Sequence, residues 1–293
     1  MKAKEPCIEC SVNQAIRALE QVNHHSEGLT EELKQEVIRK TREELERLAL
    51  DATTPAEVST IAVKTACELI GNADPYAAEK ERYNRLALEM APSLEALIDR
   101  SGDPLMTAIL LSIAGNIIDL GIIADIDLEE TVESVLRMGL AISHYEEFTR
   151  QLSRSGTLLF LADNAGEIVF DKFLLRKFRE RGIDVTFAVK GGPIANDACV
   201  DDAKMVGIDE LARVITIGAD RLGIPLDRCS EAFLEEFNKA DMVISKGQAN
   251  FESLDELRDR DNLFFLLTAK CDMVAQRLGV EPRSVVLVRC GQI

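Results

Sequence analysis

Asp163 and Asn164 stand side by side at the end of an uncharged apolar run, Thr157-Leu158-Leu159-Phe160-Leu161-Ala162, and Ala165-Gly166-Glu167 follow them. A carboxylate beside a carboxamide offers hard oxygen ligands to a divalent cation. Asp197, which closes Lys190-Gly191-Gly192-Pro193-Ile194-Ala195-Asn196-Asp197, adds a second carboxylate. Two carboxylates and a neutral amide leave a bound dication partly uncompensated, able to attract a phosphoryl oxygen and to lower the pKa of a bound water. A second role is open to each acid: Asp163 could cap the helical pattern that begins at Ile168, and Asp197 the one that begins at Ala198.

Further candidates follow other apolar runs. Lys246 in Ser245-Lys246-Gly247-Gln248-Ala249-Asn250 and Lys270 in Thr268-Ala269-Lys270 are compact charges suited to phosphate, or solvated loop residues. Gly191-Gly192 and Gly247 would let backbone N–H groups approach an anion, or serve only as turns. Asn116 and Asp119 lie three residues apart in an apolar helical pattern, bonded to neighbouring backbone or presented to a cleft wall. Cys7-x-x-Cys10 is half of a metal site with no second pair at zinc-finger spacing, and reads as a tail dithiol. Cys67, Cys199, Cys229 and Cys290 read as small buried hydrophobes. Cys271, beside Lys270, reads similarly. His144 has no evident partner, so a His-based nucleophilic triad has little support.

These residues must be brought together by the elements around them. From 11 to 150 the period is helical. Glu31 to Leu50 is amphipathic, and Thr54-Pro55 opens a helix that Gly71-Asn72 closes. Asp74-Pro75-Tyr76 starts another through Met90. Pro104 to Leu120 reads as a buried central helix, and Leu128 to Arg150 as a helix or helix pair. After about 153, short apolar runs recur: Leu158–Ala162, Val185–Val189, Val214–Ile217, Met242–Ile244, Leu263–Leu267 and Val285–Val288. Helical patterns over Ile168–Arg181, Ala198–Gly207, Glu231–Lys239 and Cys271–Leu278 separate most of them. The alternation predicts an α/β fold with a mostly parallel, doubly wound sheet. The composition break near Arg150–Gly156 divides the chain into an N-terminal all-helical domain, 1–152, and a sheet domain, 153–293. In such sheets ligands bind beyond the carboxyl ends of the strands, which is where Asp163, Asp197, Lys246 and Lys270 fall.

Composition narrows the class. The 293 residues, 46% hydrophobic, can bury a sizeable core. A net charge of −17 argues against a nucleic-acid partner, because a polyanion needs a basic face, and it opposes any phosphate substrate unless a metal and placed lysines act locally. Seven scattered cysteines argue against a secreted disulfide framework, and the apolar stretches are too short or interrupted to cross a bilayer. With no signal-peptide pattern at the start, the expectation is a cytoplasmic protein that binds no membrane.

Taken together, Asp163-Asn164-Ala165-Gly166-Glu167, Asn196-Asp197, Ser245 to Glu252 and Thr268-Ala269-Lys270-Cys271 resemble the DUF89 family, the metal-dependent damage-control phosphatases that include the ARMT1-like proteins. Asp74-Pro75-Tyr76 and Gly115-Asn116-Ile117-Ile118-Asp119 are similar to its helical part, and Cys7/Cys10 to the pair of its short, stand-alone prokaryotic branch. The resemblance implies a helical domain packed on a Rossmann-like domain. It implies metal ligands at Asp163, Asn164 and Asp197, and phosphate-binding residues at Lys246, Asn250 and Lys270. The expected activity is hydrolysis of phosphomonoesters of small metabolites with Mg, Mn, Co or Ni as cofactor. Asn116 would then bind substrate, and Glu167 or Asp197 would act as base. Gln248 to Glu252 departs from the Asp-Leu-Asn-Tyr-Arg of eukaryotic members. Three rivals stand beside this reading. A haloacid-dehalogenase phosphatase would need Asp-x-Asp, but Asn164 and Ala165 follow Asp163. A Rossmann cofactor enzyme such as a methyltransferase would need a glycine-rich first turn, which Asp-Asn-Ala-Gly-Glu is not. A non-catalytic metal-binding module would bind metal through Cys7 and Cys10.

Overall fold

A computed structural model of the protein describes residues 1–23, 30–115, 137 and 139–292. Helix α1 (Glu5–Asn23) opens the chain, followed by α2 (Glu31–Leu45) and α3 (Pro55–Ile70). The sequence signals for α3 hold in detail: Thr54 Oγ1 accepts from Glu57 N at 3.2 Å, Pro55 sits in the first turn, and Gly71 ends the helix at φ 71°. Helix α4 (Ala77–Arg100) runs well past Met90 with Pro92 inside it, and α5 (Pro104–Ala114) is capped by Asp103, which accepts from Met106 N at 3.0 Å. Asn116 and Asp119, together with 128–136 of the expected later helix, lie outside the described residues.

The sheet begins earlier than expected. Ile142–Ser143 forms β1, an edge strand parallel to β7 (Val285–Arg289), and helix α6 (Tyr145–Leu152) starts only after it. A two-residue strand has no period of its own, and Leu140-Ala141-Ile142 continues the apolar spacing of α6, so the sequence reads as helix. The β7 backbone decides otherwise: Ala141 N donates to Val285 O at 2.8 Å and His144 N to Leu287 O at 2.9 Å.

Then follow β2 (Thr157–Leu161), α7 (Glu167–Arg179), β3 (Asp184–Val189), α8 (Val200–Met205), β4 (Arg213–Thr216), α9 (Glu231–Lys239), β5 (Met242–Lys246), α10 (Gln248–Leu254), β6 (Leu263–Thr268) and α11 (Asp272–Leu278), closed by β7. Strand order is β1-β7-β6-β5-β2-β3-β4, all neighbours parallel except β6 and β7. The chain moves from β2 outward to β3 and β4, then returns to the other side of β2 at β5. That reversal opens a crevice at the strand ends, the switch point where doubly wound sheets hold ligands.

The cores do not divide at residue 152. Met90, Leu94 and Ile98 of α4, Leu105 to Ile113 of α5 and Phe148 of α6 pack on the same sheet face as α7, against Phe160, Phe187 and Phe264. Phe160 and Phe187, register partners on β2 and β3, stack with centroids 5.1 Å apart. The other face carries α9, α10 and α11. Among the described residues, α1 to α3 keep a core of their own, around Val12, Leu19, Val37, Leu45 and Val58. No helix among the described residues is long and apolar enough to cross a membrane.

Candidate active site

The loops after β2 and β3 are tied to each other by main chain. Ala198 N donates to Asp163 O and Ala165 N to Asn196 O, each at 2.9 Å, and Asn164 and Asp197 form an antiparallel bridge. Asp163, Asn164 and Asp197, distant in sequence, therefore converge and line one cleft of about 800 Å³. Neither acid is a helix cap: α7 starts from Gly166 with no side-chain cap, and at the start of α8 it is Asp202 Oδ2 that accepts from Cys199 N at 3.0 Å. The capping alternative falls for both.

The acids are crowded and buried. Burial raises the Asp163 carboxyl well above the ordinary carboxylate range, and the neighbouring Glu167 and Asp197 raise it further. Burial likewise raises Asp197, against the pull of Lys190, whose Nζ stands 3.3 Å from Asp197 Oδ2. Asp197 Oδ2 is buried without a hydrogen bond. Asn164 Nδ2 donates to Asp163 Oδ2 at 2.9 Å and to Glu167 Oε2 at 3.1 Å, so its amide nitrogen is spent and its oxygen is the ligand atom left over. Among the described residues no group of three His, Cys, Asp or Glu side chains is placed to hold a metal, so a cation here depends on that amide oxygen beside the two carboxylates. A hard dication suits such a donor set, and it would relieve the repulsion.

Lys246 and Asn250 are placed differently from the expectation. Lys246 has no exposed side-chain surface and does not line the cleft. Its ammonium sits beneath the site, donating to Glu167 Oε1 at 2.7 Å, Asp171 Oδ1 at 2.5 Å and Ser112 O at 2.9 Å, and two carboxylates hold it firmly cationic. Asn250 is also buried: its amide donates to Ala162 O and Lys246 O and accepts from Lys190 Nζ at 3.2 Å. Glu167, in the first turn of α7, has one oxygen on Lys246 and the other on Asn164. These three form a scaffold under the cleft, whereas Lys270 lines the cleft itself and its charge acts on both Asp163 and Asp197. The N–H groups of Gly191 and Gly247 are taken by Ala219 O at 2.8 Å and Leu266 O at 3.0 Å, so they are not anion donors. Gly247 serves by its bareness: at φ 77°, a Cβ there would stand 2.0 Å from Asp163 Oδ2.

Four positioning residues were not singled out from sequence. Asn84 on α4 accepts from Gly166 N at 2.7 Å and fixes the turn after Asp163. Asp171 and Ser112 anchor Lys246, and Lys190 bridges Asp197 and Asn250. The four-residue spacing of Glu167 and Asp171 on one helix was the available signal for Asp171. Cys7 and Cys10 are no tail: both lie in α1 on the cleft wall, with Cys271 opposite from the loop after β6. Burial raises the thiols of Cys7 and Cys10. Of the remaining cysteines Cys290 is buried, while Cys67, Cys199 and Cys229 are only partly so.

The chain as a whole has known relatives. The family model for the damage-control phosphatase ARMT1-like domain matches residues 3–286. A protein named damage-control phosphatase from Pyrococcus horikoshii is 34% identical over 291 residues, 99% of this chain and 98% of its own. Another of that name from Archaeoglobus fulgidus is 35% identical over 236 residues, 79% of this chain and 81% of its own. The crystal structure of a DUF89 family protein from P. horikoshii superposes with a TM-score of 0.90 at 33% identity, covering 99% of both chains. The chain belongs to the ARMT1-like damage-control phosphatase family, DUF89.

Proposed function

We propose that this protein is a metal-dependent phosphatase that hydrolyses phosphomonoesters of small metabolites in a damage-control or housecleaning role. The observation that carries this is the convergence of Asp163, Asn164 and Asp197 from two loops at the switch point, facing one cleft with Lys270. Relatives named damage-control phosphatase across nearly the whole chain support the phosphatase class. Asp163, Asn164 and Asp197 would hold a divalent cation (Mg²⁺, Mn²⁺, Co²⁺ or Ni²⁺), which supplies Lewis acidity at the phosphoryl group and lowers the pKa of water.

The chain's own residues do the rest. Lys270 binds the phosphoryl oxygens and offsets negative charge that develops as the ester bond breaks. Of the two carboxylates considered as base, Glu167 has both oxygens engaged below the cleft, which leaves Asp197 at the cleft to accept a proton. Glu167 instead orients Asn164, and Lys246 holds Glu167 in place. Phosphate release from a panel of metabolite monoesters, with chelated protein reloaded separately with each metal, tests the reading. Turnover restored by one or more metals supports it. Failure of every metal and monoester, by protein shown to be folded, refutes it.

A further inference from the structure

The cleft continues along α1. Cys7, Cys10, Gln14, Arg17 and Gln21 follow the spacing of one helix face, and all five line the cleft. Val12, Ala15, Ala18 and Leu19, elsewhere on the helix, are buried in its core. This face has a direction. At its Cys7 end, Sγ lies 3.5 Å from Met273 Sδ, in the segment that directly follows Lys270. At 1.5 Å per residue, Arg17 stands about 10 Å further along the helix than Cys10, away from the phosphoryl-binding end. The cleft lining also carries sulfur and apolar side chains, among them Ala56, Val63 and Leu222.

Arg17 is exposed, and among the described residues no carboxylate pairs with it. Neighbouring arginines behave otherwise: Arg39, Arg42 and Arg47 each take a glutamate. In a chain with 51 acidic and 34 basic residues, an arginine that lines the cleft with no carboxylate ion-paired to it is available to an anionic ligand there. A planar guanidinium binds a carboxylate through two parallel N–H groups. Its single charge matches a monoanion such as a carboxylate. Clefts of about this volume enclose ligands of drug size, leaving room for an extended leaving group.

We infer that Arg17 is a specificity-determining residue that binds a carboxylate at the far end of the leaving group, so the substrates are phosphomonoesters of extended organic acids. The inference rests on the phosphatase reading for the other end of the substrate. The test uses metal-loaded protein and two matched pairs: ω-carboxyoctyl phosphate against octyl phosphate for turnover, and the corresponding phosphonates, which cannot be hydrolysed, for calorimetric binding. Wild-type protein should favour the carboxylated member of each pair about tenfold, with the turnover preference carried in KM. Arg17→Gln should bring both ratios to near one, and Arg17→Glu should invert them. Hydrolysis of both phosphates with no preference, or a preference that survives Arg17→Gln, overturns the assignment while leaving the phosphatase reading intact. Phosphonate discrimination abolished by Arg17→Gln in protein that hydrolyses neither ester would uphold Arg17 as the carboxylate site, and the panel of metals and monoesters then decides the phosphatase reading separately.

Discussion

Asp163 sits where three carboxylates share one buried pocket with two lysines, and that crowding ties its protonation to stability. The folded chain holds the Asp163 proton to higher pH than the unfolded chain does, because burial, then Glu167 and Asp197, disfavour the anion. A carboxyl shifted upward contributes stability that is fully present below its unfolded value, near 4, and is lost as pH rises through the folded value. Chelated wild-type protein should therefore lose melting temperature between about pH 5 and pH 8 relative to Asp163→Asn. A bound dication displaces the proton, so reloading with Mn²⁺ should raise the wild-type melting temperature most at the top of that window and leave Asp163→Asn nearly unmoved. The same variant should lose metal-dependent phosphate release. Thermal melts across pH, with and without chelator, check the first two expectations, and a variant that tracks wild type in both would remove Asp163 from the metal set.

At the scale of elements, the turn after β5 holds two commitments side by side. Lys246, the last residue of the strand, points under the sheet to tie α7 through Glu167 and Asp171. Lys246→Met keeps the bulk but leaves two buried carboxylates without their cation, a loss of about 3–5 kcal/mol by denaturant titration. Adding Asp171→Asn should return part of it, because one stranded charge is gone; no recovery would mean that the ammonium is not paired there. Gly247, one residue on, passes against the carboxylate of Asp163. Gly247→Ala should weaken Mn²⁺ binding by at least tenfold and cost about 1–3 kcal/mol for the positive-φ, extended backbone alone, a region essentially reserved for glycine. Metal titration with unchanged affinity would contradict that close approach. The strand ends were legible as apolar runs ending in polar residues, and so was the pairing of Asp163 with Asp197. The direction of Lys246 was not. Side chains alternate faces along a strand, and which face holds the counter-charge depends on Asp171 and Ser112, which reach it only in the folded molecule. Cys7 and Cys10 were opaque for a similar reason: their place on the cleft wall depends on a contact with Met273, far along the chain.

For the molecule as a whole, doubly wound order was readable because each buried strand is a short uncharged run between helical patterns. The division of the cores was not, since α4 and α5 look like members of a helical domain yet cover the sheet. Charge, a property of the whole chain, leads to a final expectation. A net charge of −17 sets a long-range field that repels a dianionic phosphomonoester before it reaches the cleft. Under the proposed function, Lys270 and a bound cation would attract it only at close range, within the Debye length of about 10 Å at 0.1 M ionic strength. Added inert salt therefore screens the distant repulsion more than the local attraction. With metal held at saturation, kcat/KM should rise a few-fold between about 10 mM and 150 mM salt, with the change in KM, whereas a cleft that steers its substrate electrostatically would show a fall. Initial rates for one monoester across that salt range decide between the two, and a decline would mean that the positive groups of the cleft, rather than the acidic surface, govern encounter.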